Sequence, residues 1–506
     1  MSNASSDEAK GPDLTRGVDT ASISDDGVHA GHVGGEPVIL ARVDGAIVAI
    51  GGACTHYSGP LKDGLRVGRT INCPWHHACF DLATGAALKA PALAAAQRWK
   101  VEEADGRVFV REKLAPAQPP ARDTAGDPKS IVIVGGGAAG FAAAQRLRDL
   151  GYAGDLTLLS ADADAPYDRP NVSKDYLAGQ AEPAWMPLKD AAFYRDNRIT
   201  LRTATRVVGL DAGARRLTLE GGETIDYETL LLATGAEPNR PATPGFDLAS
   251  VHVLRSLADC DALIAALGAA KSVAVVGASF IGLEAAAAIR ARNLAVTVIA
   301  PETLPLESKL GPQIGELLMG LHGAHGVAFR LGRTVRDYDG KRVTLDDGSK
   351  LDADLVVLGV GVRPRLDLAE AAGLKIDRGV VVDANLHTSD PHIYAAGDIA
   401  RFPDAATGEL IRVEHWVLAE RHGQIAAAAM LNAPQPMAEP PFFWTAHFGT
   451  EVRYVGHVER WDRIEVEGSV AGDDAEARYI RDGRVAAVAT LQRDMASLEA
   501  AERLKG

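Results

Sequence analysis

The amino-acid sequence predicts a multidomain protein: a small all-β domain, then two α/β units with parallel sheets, then an α+β domain at the C-terminus. Three observations carry this. Between residues 17 and 112, short alternating stretches such as Pro37–Val43 and Ala46–Ile50 are split by Asp-Gly turns, the pattern of half-buried antiparallel strands. A strand–glycine–helix pattern then occurs twice, with Ile131–Val134 leading into Gly135–Gly140 and Ser272–Val276 into Gly277–Gly282; an apolar strand feeding a glycine-rich turn and a helix is a nucleotide-binding βαβ unit. From about Pro440 the chain alternates again and ends in a short helical stretch.

These elements divide the chain into residues 17–112, a Pro-rich spacer at 113–129, a first α/β unit at 130–249, a second at 250–370, a return to the first at 371–435, and the last domain at 436–506. Residues 1–16 are expected to be disordered, and the spacer to be semi-rigid. The 506 residues are 47% hydrophobic, enough for several cores. A net charge of −14 disfavours nucleic acid as the main partner. Four cysteines are too few for a secreted disulfide scaffold. The polar N-terminus has no apolar signal core, and the apolar run at Val273–Leu283 is bounded by Lys271 and Glu284, so a cytoplasmic protein without a membrane span is expected.

Cys54-Thr-His56 and Cys73-Pro-Trp-His76 are the strongest chemical signal. Each loop offers one thiolate and one imidazole, the set that a Rieske [2Fe–2S] centre needs, with two sulfurs on one iron and two nitrogens on the other. The alternative is a zinc site, but zinc sites more often place the two cysteines together and the two histidines together. The segment resembles the Rieske ferredoxin family over about 95 residues. It departs from the family loop at His77, where Gly is usual. High-potential relatives carry a second cysteine pair as a disulfide beside the cluster. Here Cys79 is the only other cysteine nearby, which implies the low end of a range of roughly −150 to +300 mV. Cys79 and Cys260 are read as packing thiols. By the same resemblance His56 and His76 would form the exposed edge that passes the electron out.

Gly135-x-Gly137-x-x-Gly140, with Ala138 and Ala139 opening the helix, has the spacing that brings backbone N–H groups to a dinucleotide pyrophosphate. Asp162, after the strand Leu156–Leu159, is assigned to the ribose, with Ser160 as competitor. The segment Tyr167–Lys174 resembles the Arg-Pro-x-x-Ser-Lys element of ferredoxin reductases and apoptosis-inducing-factor-like flavoproteins. That resemblance implies that Arg169 binds FAD phosphates and Lys174 reaches the flavin ring. Thr234 and Gly235, then Gly397 and Asp398, resemble the family's second and third FAD contacts, and His415 and Trp416 in Glu-His-Trp its flavin-side segment.

The second motif carries Gly277, Ser279 and Gly282; the Ser in place of the middle Gly crowds a pyrophosphate, though its hydroxyl can also donate to one. Glu302, twenty residues past Gly282, suits a ribose 2′-hydroxyl and would repel a 2′-phosphate, which favours NADH over NADPH. The resemblance also implies that Glu284 pairs with Lys174, making Lys174, Glu284 and Trp416 the catalytic candidates. Between Gly140 and Thr234 there is no cysteine, so no flavin-linked disulfide is expected.

From about residue 17 to 506 the chain thus resembles the Rieske-containing branch of the apoptosis-inducing-factor-like oxidoreductases. That implies FAD, NAD(H) and a [2Fe–2S] cluster, two Rossmann-like domains and a C-terminal reductase domain. Electrons would run from NADH through FAD to the cluster, and on to a ferredoxin, cytochrome P450 or oxygenase; a homodimer is a further expectation. A second reading is an NADH-binding redox sensor with slow turnover.

Overall fold

A computed structural model describes residues 11–117 and 122–505 of the protein. Residues 1–10 of the expected disordered segment, and 118–121 of the expected spacer, lie outside the described residues. Residues 11–16, expected to be disordered, are ordered: Leu14 is fully buried within a short 3-10 turn, Leu14–Arg16. One apolar side chain with a place in the core is enough to anchor so short a segment.

The N-terminal domain is an antiparallel sheet in the order Val18–Asp19, Arg107–Leu114, Arg98–Ala104, Ala46–Gly51, Glu36–Val43, His29–Val33. Asp44 and Gly45 both have positive φ and join two strands whose last pair is Val43 with Ala46, the twisted two-residue turn that Asp-Gly favours. A smaller four-stranded sheet, Leu65–Val67, Thr70–Asn72, Cys79–Asp81 and Ala87–Lys89, lies beside it. Ile39, Ile50, Ile71 and Phe80 form a core with Cys54 and Cys73, so both thiols are built into the apolar interior.

Two parallel five-stranded sheets follow. The first runs Thr200–Arg202, Asp155–Leu159, Ser130–Val134, Thr229–Leu232, Ile393–Ala395. Its last strand arrives after the second sheet has been completed, so the first α/β unit is split in sequence. The second runs Val251–Val253, Leu355–Leu358, Ser272–Val276, Ala295–Ala300, Val327–Leu331. In each, the glycine turn leaves a central strand, with neighbours on both sides; ligands bind in the crevice at the carboxyl ends of such strands.

Helix Trp416–Met430 packs across Ala138–Asp149 so closely that a Cβ on Gly423 would lie 2.1 Å from the Ala139 carbonyl oxygen. The chain ends in a five-stranded antiparallel sheet, Phe442–His447, Thr450–Gly456, Arg484–Leu491, Asp474–Arg481, Arg463–Ser469, and the helix Asp494–Arg503. Among the described residues no helix is long and apolar enough to cross a membrane.

Candidate flavin and iron–sulfur site

Two loops of the N-terminal domain share one backbone design. In the first, the Cys54 N–H donates to the Gly59 carbonyl (2.8 Å) and the Ser58 N–H to the Cys54 carbonyl (2.9 Å). In the second, the Cys73 N–H donates to Ala78 (2.8 Å) and the His77 N–H to Cys73 (3.1 Å). The fourth residue after each cysteine has positive φ: Ser58 at 62° and His77 at 60°. His77 therefore adopts, without being glycine, a conformation that glycine tolerates best. Each loop also aims two amides at its own sulfur, those of His56 and Tyr57 at Cys54 and those of Trp75 and His76 at Cys73. Such donors favour a thiolate.

The donors meet in pairs. A hydrogen bond between the two thiols holds the Cys54 proton well above the ordinary thiol range and draws that of Cys73 down. The His56 and His76 rings face each other Nδ1 to Nδ1 at 3.3 Å. Burial lowers the pKa of His56 to about 4 and pushes that of His76 well below its ordinary value, so both are neutral donors near pH 7. A Cβ on Gly59 would lie 2.7 Å from Cys73 Sγ, so that loop must lack a side chain there. Among the described residues no three His, Cys, Asp or Glu side chains converge as the ligands of one ion. A two-iron cluster takes one donor pair on each iron, whereas tetrahedral zinc takes all four around one centre.

One expectation is corrected. The His76 imidazole faces the body of the protein rather than solvent, while that of His56 is partly exposed. His76 is 5% exposed, and its ring lies 4.1 Å from that of Trp444 in the C-terminal sheet. The His56 ring stacks on Tyr57 at 3.9 Å, and the Tyr57 hydroxyl donates to Asp168 in the stretch leading to Arg169. The exposed residues of these loops are Thr55 and Ser58.

Behind these rings lies a cavity of about 1420 Å³. Its wall brings together Gly135, Gly137, Ala138, Ala139, Asp162, Arg169, Lys174, Thr234, Gly235, Gly277, Ser279, Glu284, Glu302, Gly397, Asp398, His415, Trp416 and Trp444. Gly140 and Gly282 lie beneath it and serve packing: a Cβ would fall 1.9 Å from the Gly135 carbonyl oxygen in one case and 2.2 Å from that of Gly277 in the other. Gly135 and Gly277 have φ of 123° and 105°, in the region that glycine tolerates best.

The second motif differs in how its helix begins. Ser279 caps Phe280–Ala291, accepting from the Gly282 N–H at 3.2 Å and donating its own proton to the Gly359 carbonyl at 2.7 Å. With that proton engaged, the hydroxyl is not the pyrophosphate donor that the sequence reading allowed. Asp162 accepts from Arg169 at 3.3 Å and from the Tyr167 hydroxyl at 3.2 Å, and Ser160 is buried beside Gly136. Asp398 is paired with Arg255 at 2.6 Å. The Thr234 hydroxyl donates to Arg365 O, and the His415 ring stacks on Phe443 at 4.2 Å.

Lys174 Nζ lies 2.8 Å from Glu284 Oε2. Glu284 is 4% exposed and also accepts from Ser173 Oγ at 2.6 Å and Thr445 Oγ1 at 2.7 Å. Thr445 gives its proton to this carboxylate, so at 2.9 Å it must accept from His447 Nε2. Burial lowers the His447 pKa to about 3; the neutral ring then leaves Nδ1 bare, to accept from His322 Nε2 at 3.2 Å. Each donor in this buried chain points toward Glu284, as a carboxylate requires.

Sequence reasoning missed Tyr57, Asp168, Arg255, Arg421, His447 and the place of Trp444. Tyr57 adjoins a ligand and His77 breaks the family loop, and those were the available signals. Asp168 and Arg255 bond residues far away in the chain, and Arg421 donates to the His77 carbonyl at 3.2 Å, contacts that spacing within one motif does not reveal.

Comparison with known proteins agrees with this geometry. Residues 129–423 match the family model of pyridine nucleotide-disulphide oxidoreductases, and residues 17–101 that of the Rieske [2Fe-2S] domain. The chain is 31% identical over 486 residues to human apoptosis-inducing factor 3, covering 92% of this chain and 80% of the human protein. It is 36% identical over 342 residues to rubredoxin-NAD(+) reductase of Pseudomonas putida, covering 67% and 89%. Among solved structures, the covalent putidaredoxin reductase–putidaredoxin complex matches at a TM-score of 0.72 and 32% identity, covering 75% of this chain and 93% of that one. The paired thiols and imidazoles fit a [2Fe–2S] cluster, and the two glycine motifs on one cavity fit FAD and NAD(H). The chain therefore belongs to the pyridine nucleotide-disulphide oxidoreductase family, as an NADH-dependent flavoprotein oxidoreductase with a Rieske [2Fe–2S] domain at its N-terminus.

Proposed function

We propose that the chain draws electrons from NADH through FAD into its own Rieske cluster, and from there supplies a separate one-electron acceptor of the ferredoxin, cytochrome P450 or oxygenase kind. FAD supplies the conversion of a two-electron donor into single electrons, and the cluster supplies a one-electron carrier. One observation carries the reading: the wall of the cofactor cavity meets a cluster-binding imidazole within one chain, through Trp444 against His76, and Tyr57 beside His56 bonds Asp168 next to the wall residue Arg169. Relatives named as ferredoxin reductase components of dioxygenase systems support the acceptor class.

The protein's own groups bind and orient. Gly135, Gly137, Ala138, Ala139 and Gly140 form the helix start that receives the FAD pyrophosphate. Arg169 adds charge to its phosphates, and Asp398, Thr234 and Gly235 border the rest of the ligand. Cys54, His56, Cys73 and His76 hold the cluster. Lys174 places a cation beside the ring system, and Glu284 holds that lysine in position. Trp416 and His415 also line the cavity, and Phe443, Trp444 and Tyr454 of the C-terminal reductase domain line it from the last sheet. Gly277 would seat NADH at the start of the helix that Gly282 packs beneath, with Glu302, exposed at the cavity edge, on its ribose. Glu302→Arg should raise the NADPH:NADH ratio of kcat/KM by roughly tenfold or more.

Anaerobic stopped-flow mixing with NADH tests the whole reading. Flavin absorbance should bleach first and cluster absorbance follow in the same molecule. A cluster that dithionite reduces but NADH does not would overturn it.

A further inference from the structure

One wall of the cofactor cavity continues into the protein as a chain of buried hydrogen bonds. Lys174 and Glu284 both line the cavity. Behind Glu284 come Thr445 at 2.7 Å, His447 at 2.9 Å and His322 at 3.2 Å, each measured from the group before it. Thr445 and His447 are 1% exposed and His322 is 0% exposed. His322 lies in the last turn of the helix Glu307–Ala324, and residues 323–325 that follow it are exposed. Its Nδ1 has no hydrogen-bond partner among the described residues. The half-buried ring of Phe448 lies 5.1 Å from that of His322, and the exposed His325 stacks on Phe448 at 4.0 Å. The chain thus starts in the cavity and ends beside an aromatic ring at the surface.

Glu284 sets the place of every hydrogen along this chain. A carboxylate only accepts, so Thr445 O–H, His447 Nε2–H and His322 Nε2–H all point inward. A proton that reaches His322 Nδ1 can shift each of these hydrogens one bond inward. Glu284 is then neutral, His447 and His322 carry their hydrogens on Nδ1, and every bond of the chain persists with its direction reversed. The opposite shift expels the proton again. The rings themselves do not keep it: burial lowers the pKa of His447 and of His322 to about 3, with Lys174 opposing charge on the first, and His447 and His325 on the second. They pass a proton on, and the carboxylate is where it rests.

We propose that Glu284 is a redox-linked proton store, filled and emptied through Thr445, His447 and His322. The inference rests on the function proposed above and adds a charge balance to it. A hydride from NADH is two electrons and one proton, so it leaves one net negative charge in the cavity as NAD+ forms. While Glu284 is ionised, the Lys174–Glu284 pair is neutral overall. Uptake of one proton from solvent at His322 neutralises Glu284. The Lys174 cation is then free to face the added charge, which matters most where little water screens it. The two electrons go singly to the cluster and on to one-electron iron–sulfur or haem proteins. Glu284 returns its proton by the same path, and the proton of the hydride leaves at the cavity edge. Per NADH, two acceptors are reduced and one proton is released.

The test uses the full holoprotein as wild type, Glu284→Gln, His447→Gln and His322→Gln. An amide at 447 or 322 can hydrogen-bond its neighbours but cannot relay a proton. Anaerobic stopped-flow with NADH, in weak buffer with a pH indicator, reads proton uptake beside flavin absorbance. Wild type should take up as much as one proton per FAD as the flavin bleaches and before the cluster does. Both histidine variants should slow that uptake about tenfold or more, and Glu284→Gln should abolish it. Infrared difference spectra of dithionite-reduced against oxidised holoprotein supply a readout independent of turnover: a protonated carboxylic acid band should appear in wild type and be missing in Glu284→Gln. Wild type with neither uptake nor that band overturns the store, and wild-type uptake rates in both histidine variants overturn the path. If His447→Gln loses the flavin, His322→Gln decides the path by the same measurement. A flavin that bleaches with proton uptake while the cluster stays oxidised would instead defeat the electron route and leave the store standing.

Discussion

The two cluster loops have one backbone and two fates. Both run from Cys through a left-handed residue four positions on, with the same pair of backbone hydrogen bonds. In the first loop that residue is Ser58, exposed to solvent. In the second it is His77, 4% exposed, stacked on Phe442 and held by Ser497 Oγ at 3.1 Å. A left-handed non-glycine residue costs on the order of 1–3 kcal/mol. In the first loop nothing beyond the loop offsets this, whereas in the second the side chain that the conformation projects is the one that docks the domain. The departure from Gly at position 77 is therefore what turns a ligand loop into an interface.

Arg421 offers the largest test of that contrast. Its buried guanidinium serves the His77 and Ala90 carbonyls and pairs with Glu439 at 3.5 Å. Arg421→Met should cost about 3–4 kcal/mol, because it leaves the two carbonyls without their charged donor in a buried site, while Glu439 keeps its ion pair with Lys89. Thermal unfolding followed at the cluster and flavin bands should show the midpoint drop, with the cluster signal lost first. The second loop itself comes next. His77→Ala removes the stack and the Ser497 bond but keeps the strained backbone, for a loss of about 2–3 kcal/mol. His77→Gly removes the same contacts and relieves the strain, so it should be the milder change by about 1 kcal/mol. Denaturant midpoints that rank the two the other way would show that the backbone at 77 is not under strain.

This contrast explains what could be read in advance. The two Cys–His pairs, both glycine motifs and the Lys174–Glu284 pair were legible because each motif is local or comes from a family pattern, and the structure places Lys174 and Glu284 in contact. The Asp44-Gly45 hairpin was legible because two positive-φ residues in a row demand such a dipeptide. The orientation of the cluster was not: whether His76 meets solvent or Trp444 depends on residues 368 positions apart along the chain. Ser279 was half legible. Its departure from Gly is visible, but its hydroxyl is committed to capping a helix and to Gly359 O, a partner 80 residues away.

The helix that carries Arg421 toward the second loop also carries His422 away from it, and this supplies a pH test. His422 is fully buried; its Nδ1 accepts the Gly397 N–H at 3.3 Å, and burial lowers its pKa to about 3 from 6.5. Below pH 6.5 the unfolded chain binds a proton that the folded site refuses, so stability falls as the pH drops toward 3. One such group contributes up to about 1.4 kcal/mol per pH unit in that window. His422→Gln cannot titrate, so its stability deficit against wild type at pH 7.5 should shrink by about 1 kcal/mol at pH 5.5. A deficit that stays constant between those two pH values would mean that His422 is protonated in the folded protein.

The smallest expected effect returns to the first loop. Ser58 holds φ of 62° while exposed, and the Ser58 N–H to Cys54 carbonyl bond does not need a side chain. Ser58→Gly should therefore stabilise the protein by up to about 1 kcal/mol, where Ser58→Ala should be neutral or slightly worse. The same glycine substitution at 77 is destabilising, so one change made at two equivalent positions should have opposite signs. Cluster-band melting curves of the two glycine variants, run side by side, measure that difference directly. If both glycine variants lower the midpoint, the equivalence of the loops holds for hydrogen bonds but not for strain.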